Sequence, residues 1–166
     1  LQKYYVRQDK HTWCEMVGLM ADIVTPEVRS RMMSRIRSRN TKPEIALRTA
    51  LHRRGFRYRL NVTKLPGSPD IALTKWNVVL FVHGCYWHRH AGCPKATIPS
   101  SNVEFWEEKF RRNVARDSRN ICDLIALGWR AGVVWECAIG HVPPSDLEER
   151  VEDFVLHGQP DHMVFE

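Results

Sequence analysis

Asp70-Ile-Ala-Leu-Thr-Lys-Trp-Asn-Val-Val-Leu-Phe-Val-His83 is the stretch that decides the fold. Asp70–Leu73 follows a Gly/Pro turn and is short and apolar, which predicts a strand. A turn near Thr74-Lys75 leads into Asn77–Val82, an apolar run suited to a central strand. If the two strands pair as a hairpin, the Asp70 carboxylate lies close to residues 82 and 83. A carboxylate with a backbone carbonyl and water is a donor set for Mg²⁺, a hard cation that polarises a phosphodiester. The plainer reading is that Asp70 ends a turn.

Upstream, Phe56-Arg-Tyr-Arg-Leu60 alternates apolar and basic residues, as a half-buried strand does, and Leu65-Pro-Gly-Ser-Pro69 is turn chemistry. Thr41-Lys-Pro-Glu44 has capping-box spacing, and Ile45, Leu47, Ala50 and Leu51 extend a helical stripe to Gly55. Thr25-Pro26-Glu27 opens an earlier helix over about 26–37. Downstream, Ser101-Asn-Val-Glu104 opens the longest helix, about 102–126, which Gly128 stops. Arg130–Glu136 reads as a buried strand, and Ser145-Asp-Leu-Glu148 caps a last helix to about 156. The order α-α-β-β-β-α-β-α is an antiparallel meander followed by a crossover helix and a further strand. This is an α/β chain with a mixed sheet flanked by helices. Residues 1–24 are expected to be an arm or added leader, with Met20 a natural start. Residues 25–157 form one domain, and 158–166 a tail.

The 166 residues suit one compact core, and the net charge of +6 favours a polyanionic partner. The distribution strengthens this, since Arg29–Arg39 holds five arginines and a later group comprises Lys109, Arg111, Arg112, Arg116 and Arg119. No apolar run approaches the roughly 18–20 residues needed to span a bilayer. The N-terminus lacks a secretory stretch, so a cytoplasmic protein is expected. Five cysteines at irregular spacing do not form a disulfide framework. Mixed with histidine, they point to metal.

That mixture is densest in His83-Gly-Cys-Tyr-Trp-His-Arg-His-Ala-Gly-Cys93. Cys85 and Cys93, a histidine and the distant Cys137 would complete a tetrahedral zinc set. Spacing leaves open whether His88 or His90 is the ligand. A histidine beside a metal-bound water is suited to acid–base work at neutral pH, and His83 and His88 are the candidates. Tyr86 and Trp87 either stack on nucleic-acid bases or pack beneath the metal site.

Pro66-Gly-Ser-Pro-Asp70, Phe81-Val-His-Gly-Cys-Tyr-Trp-His-Arg-His90, Phe105-Trp106 with Lys109, Asn113 and Arg116-Asp117, Gly128-Trp-Arg130, and Val134-Trp-Glu-Cys137 together resemble the very short patch repair (Vsr) endonucleases. The resemblance runs from about Met20 to Phe154. It implies a restriction-endonuclease-like fold and a monomer that nicks double-stranded DNA beside the T of a T:G mismatch left by deamination of 5-methylcytosine. It further implies that Asp70 and the Val82 carbonyl hold Mg²⁺, that His88 is the base on water, and that His83 and Glu44 are catalytic. Cys85, His90, Cys93 and Cys137 then hold structural Zn²⁺. Tyr86, Trp87 and Met33 enter the base stack, and Lys109 and Asn113 recognise the mismatch. Arg116 joins the DNA-binding face. Val82 replaces the family's Thr, Tyr86 its Phe, and Ala91-Gly92 lengthens the approach to Cys93. Two other functions compete: a restriction-like endonuclease of broader specificity, and a zinc-stabilised DNA-binding module without catalysis.

Overall fold

The computed structural model describes residues 39–166 together with Thr25, Glu27, Val28 and Arg31. Residues 1–35 and 36–166 are separate compact units. In the first, Glu27, Val28 and Arg31 are helical, and the Val28 N–H donates to Thr25 Oγ1 at 3.4 Å, the cap expected of Thr25. The rest of the helix expected over 26–37, with Met33, lies outside the described residues.

The second unit begins with α1 (Lys42–Arg53), capped by Thr41. Thr41 Oγ1 accepts the Glu44 N–H at 3.5 Å, and its hydroxyl donates to Glu44 Oε1 at 2.8 Å. Glu44 Oε2 accepts the Asn40 N–H, so the capping box reaches one residue further back than the motif requires. Gly55, at φ 89°, turns the chain out of the helix as expected.

Five strands follow in spatial order: β1 (Arg59–Leu60), β2 (Ile71–Leu73), β3 (Val78–His83), β4 (Arg130–Trp135) and β5 (His162–Phe165). β1, β2 and β3 pair antiparallel, whereas β3, β4 and β5 run parallel. The expected meander and crossover are both present. β1 is shorter than the alternation over 56–60 suggests, because Phe56 leaves the strand line to bury itself edge-on against Trp76 at 5.1 Å. Asn102 (φ 51°), not Ser101, takes the cap position of the long helix α3 (Val103–Ala126), and Pro144, not Ser145, that of α5 (Ser145–His157); neither Asn102 nor Pro144 makes a side-chain cap. Glu148, read as the capping acid, instead binds Arg53 and Arg54 on α1. Residues 158–166, expected as a tail, carry β5, and Phe165 is fully buried edge-on to Phe154.

Alternation along β3 divides the core. Val78 and Leu80 pack with Leu47 and Leu51 of α1 and Val151, Phe154 and Val155 of α5, and Val82 abuts the same cluster. Val79 and Phe81 face α3 through Leu124. With both faces covered, β3 and β4 read as continuous apolar runs rather than alternating ones. Each large side chain so buried contributes roughly 1.5–3 kcal/mol. At the carboxyl ends of the parallel pair, β3 leads into α2 (Cys85–His88) and β4 into α4 (Glu136–Ile139). Such ends leave a crevice in open α/β sheets, and the polar residues collect there.

Candidate active site and metal centre

The β2–β3 register places Ile71 opposite Leu80, which carries Asp70 to the start of the crevice. Asp70 Oδ2 accepts the Val82 N–H at 2.8 Å, the hairpin proximity expected from the two strands. Burial foremost pushes the Asp70 carboxyl up to about 6, and the Glu44 carboxylate adds to the rise. The Val82 N–H, Arg48 and His88 oppose it. A carboxylate desolvated to this degree is short of positive charge.

His83 lies one strand position past Val82 and so shares the face of Val79 and Phe81, toward α3. Its ring stacks on His88 of α2, with centroids 3.8 Å apart and planes inclined by 13°. Burial foremost, and then the facing His88, hold the His83 imidazole down at about 3, so it is neutral at physiological pH. His88 Nδ1 meets Asp117 Oδ2 of α3 at 2.5 Å. Burial raises the Asp117 carboxyl, but the His88 hydrogen bond and the charges of His88, His83 and Arg116 outweigh it and hold it below the ordinary carboxylate range. Glu44, Asp70, His83, His88 and Asp117 line one cavity of about 820 Å³, large enough to admit a nucleotide backbone.

Glu44 lies in this cavity wall but is 4% exposed and already engaged by Asn40, Thr41 and Arg48. Lys109, Asn113 and Arg116 lie on α3 near α2. Asn113 Nδ2 donates to the Trp87 carbonyl at 3.1 Å, and Lys109 Nζ lies 5.3 Å from the Trp87 ring and 5.0 Å from that of Trp106. Tyr86 and Trp87 are half-buried. They belong to an aromatic cluster in which Tyr86 meets Phe110 at 5.2 Å and Trp87 meets Trp106 at 6.1 Å.

Cys85, His90, Cys93 and Cys137 converge on the far side of α2, each offering a ligand atom within 4.8 Å of the others. His90 Nδ1 lies 3.5 Å from Cys85 Sγ and 3.3 Å from Cys137 Sγ. A tetrahedral zinc with ordinary bond lengths sets nitrogen and sulfur about 3.5 Å apart, so the cluster has the size of the ion. Burial foremost pushes the Cys85 thiol up to about 12, so ionising it here needs a cation. The choice that spacing left open is thereby made: His90 faces the thiols and His88 the cleft.

Sequence reasoning gave four residues no role. Trp106 lies seven residues before Asn113 on α3, and Asp117, which bonds His88, four after it, spacings that mark one helix face. Glu136 begins α4, and its Oε1 accepts the Cys85 N–H at 3.0 Å, tying β4 to α2. Arg48, which binds Glu44, stands one i, i+4 step from it on α1, the local spacing that could have marked the pair.

A hairpin carboxylate and a carboxylate-bonded histidine, set at the carboxyl ends of parallel strands, make a site of the kind hydrolases use, beside a Cys/His cluster that could hold a metal ion. The sequence profile described as DNA mismatch endonuclease Vsr matches residues 21–95. The chain is 43% identical over 136 residues to the type II nicking enzyme V.XorIIP of Xanthomonas oryzae pv. oryzae, covering 82% of this chain and 98% of that protein. It is 46% identical over 120 residues to the type II nicking enzyme V.NmeAIP of Neisseria meningitidis, covering 72% and 85%. It is 40% identical over 139 residues to the DNA mismatch endonuclease Vsr of Escherichia coli, covering 82% of this chain and 88% of the relative. The chain belongs to the DNA mismatch endonuclease Vsr family. Among the described residues, no helix is long and apolar enough to cross a membrane.

Proposed function

We propose that this protein is a metal-dependent endonuclease that nicks one DNA strand beside the T of a T:G mismatch arising from 5-methylcytosine deamination, initiating short-patch repair. The observation that carries the chemistry is the assembly of Asp70, His83 and the His88–Asp117 pair in one cleft. The mismatch preference rests on family membership and on the names of the relatives. The fold is taken to be restriction-endonuclease-like, acting as a cytoplasmic monomer.

Asp70 and the Val82 carbonyl would hold Mg²⁺. The desolvated carboxyl fits that assignment, and Val in place of Thr leaves the carbonyl intact. When bound, Mg²⁺ supplies Lewis-acid polarisation of the phosphodiester. His88 takes the proton from the attacking water. Asp117 bonds Nδ1, leaving Nε2 to accept that proton, and stabilises the imidazolium that forms. Neutral His83 packs on the His88 face, where its ring N–H could stabilise the charge that develops on the phosphate without adding charge of its own. Glu44 shapes the field at Asp70. Cys85, His90, Cys93 and Cys137 would hold structural Zn²⁺, which fixes the loop around α2.

Arg116 and the arginines of residues 29–39 engage phosphates, a salt-sensitive contribution blind to sequence. Trp87 and Tyr86, with Met33 from the N-terminal unit, enter the stack at the mismatch. Distortion costs less there because a wobble pair stacks poorly. Lys109 and Asn113 read the mismatched bases.

Zinc-loaded protein is tested on duplexes carrying T:G, other mispairs or matched pairs. Mg²⁺-dependent nicking confined to T:G is expected. Equal cutting of every duplex removes the mismatch assignment. Asp70→Ala should bind T:G duplex and not nick it, and unchanged nicking removes Asp70 from the chemistry.

A further inference from the structure

We infer that Arg48 is a positioning residue that holds the Glu44 carboxylate in the helix cap, so that Asp70 alone is offered to the catalytic cation. Two acids line the same cavity, yet their surroundings differ. The proposal rests on the metal-binding role assigned to Asp70 above.

Glu44 Oε1 accepts the Thr41 hydroxyl at 2.8 Å. Its Oε2 accepts the Asn40 N–H at 2.9 Å and Arg48 Nη2 at 2.7 Å. Arg48 Nη1 donates to Asn40 Oδ1 at 2.6 Å, so one guanidinium braces both the carboxylate and the residue whose N–H that carboxylate caps. The Tyr58 hydroxyl donates to the Arg48 carbonyl at 2.9 Å and anchors the same turn. Both partners are buried, Glu44 at 4% exposure and Arg48 at 7%.

Capping does not explain Arg48. The box at Thr41 works with glutamine as well as glutamate, because it uses hydrogen bonds to the side-chain oxygen. A buried arginine is needed only if the acid must stay charged, or must stay put. Arg48 also leaves its Nε buried with no hydrogen-bond partner, a cost a purely structural ion pair has no reason to carry. Both features follow if the pair keeps a second anion beside Asp70 neutralised and turned away. A released Glu44 would add a second oxygen donor and a second negative charge to the cation site, and charge count tunes divalent affinity at oxygen sites.

The test is a double-mutant cycle read by cation binding. Zinc-loaded protein without DNA is titrated with Mn²⁺, an oxygen-preferring stand-in for Mg²⁺, and free Mn²⁺ is followed by electron paramagnetic resonance. Arg48→Met should tighten Mn²⁺ binding about fivefold or more. In the Glu44→Gln background the same change should tighten it clearly less, because only the direct repulsion between Arg48 and the cation is removed and no carboxylate remains to be freed. Glu44→Gln/Arg48→Met should bind Mn²⁺ within about twofold of the parent. Equal tightening in both backgrounds means that Arg48 acts only through its own charge, and overturns the proposal. Tenfold weaker binding by the double variant means that Glu44 is itself a ligand, and also overturns it. That second outcome can be read even if Arg48→Met alone does not fold. Asp70→Asn in parallel should abolish Mn²⁺ binding at this site. If it does not, the metal role of Asp70 fails and takes this inference with it.

Discussion

His88 and His90 lie two residues apart and meet different chemistry. His88 ends α2 with its ring in the cleft, bonded to Asp117 and stacked on His83. His90 stacks on Trp135 at 4.2 Å and turns Nδ1 toward the Cys85 and Cys137 sulfurs. Arg89 separates them in the left-handed region, at φ 58°. A non-glycine residue adopts that conformation when its surroundings hold it there. Arg89 Nη1 donates to the Thr97 carbonyl at 2.9 Å, and its guanidinium lies 4.6 Å from the Phe110 ring. One backbone reversal therefore splits a single segment between a solvent-reached cleft and a closed knuckle. The cleft side is lined by carboxylates and imidazoles, and the other side by three sulfurs and one imidazole.

The largest expected effect separates the two histidines outright. His88→Ala should reduce nicking on the order of 10²–10⁴-fold while the protein keeps about one zinc per chain and its thermal midpoint. His90→Ala should instead lose zinc and lower the midpoint by many degrees, with activity lost through the fold. Metal analysis and calorimetry on the two proteins decide this. A zinc-free but fully stable His90→Ala protein would break the comparison.

A smaller effect belongs to the residue that orients His88. Asp117→Asn keeps the shape but no longer fixes the Nδ1–H tautomer. A loss of about 10–100-fold in kcat with little change in KM is expected. Unchanged kcat would reduce Asp117 to a structural partner of Arg116.

The smallest effect is in pH and stability, at Asp70. Its folded pKa, about 6, lies above the unfolded value of 3.8. A raised pKa means that the stability it contributes is complete below pH 3.8 and is lost as pH rises through 6. Above pH 6 the metal-free protein therefore carries a desolvated anion, and Asp70→Asn should be more stable there by roughly 1–3 kcal/mol. The same value makes nicking at limiting Mg²⁺ fall about tenfold per unit below pH 6, since the cation must displace a proton. A denaturant series at pH 5 and pH 8 checks the first, and a pH–rate profile the second. Equal stability of the two proteins at pH 8 would remove the strain assigned to this carboxyl.

Much of this was legible along the chain because local physics left a periodic mark. The hairpin, the Thr41 cap and the crossover helix follow from apolar runs, turn residues and capping spacing. β5 was not legible. Its four residues have the burial pattern of an edge strand, exposed but for Met163 and Phe165, and its partner β4 is distant in sequence. The start of α5 shows the limit of motif spacing, since Pro144 takes the cap position and Glu148 finds partners in Arg53 and Arg54 rather than at the helix terminus.

The sequence by itself determined which chemistry was available: a carboxylate beside an apolar strand, two thiols and three histidines within eleven residues, and a basic surface. Those properties belong to side chains and short spacings, which the chain carries before it folds. Only the tertiary structure decided the division of labour. Asp117 meets His88 across 29 residues, Cys137 meets His90 across 47, and Glu136 meets Cys85 across 51. Such pairings are set by packing α3 and β4 against β3, where the cost of closing long loops is offset by burying both faces of the sheet.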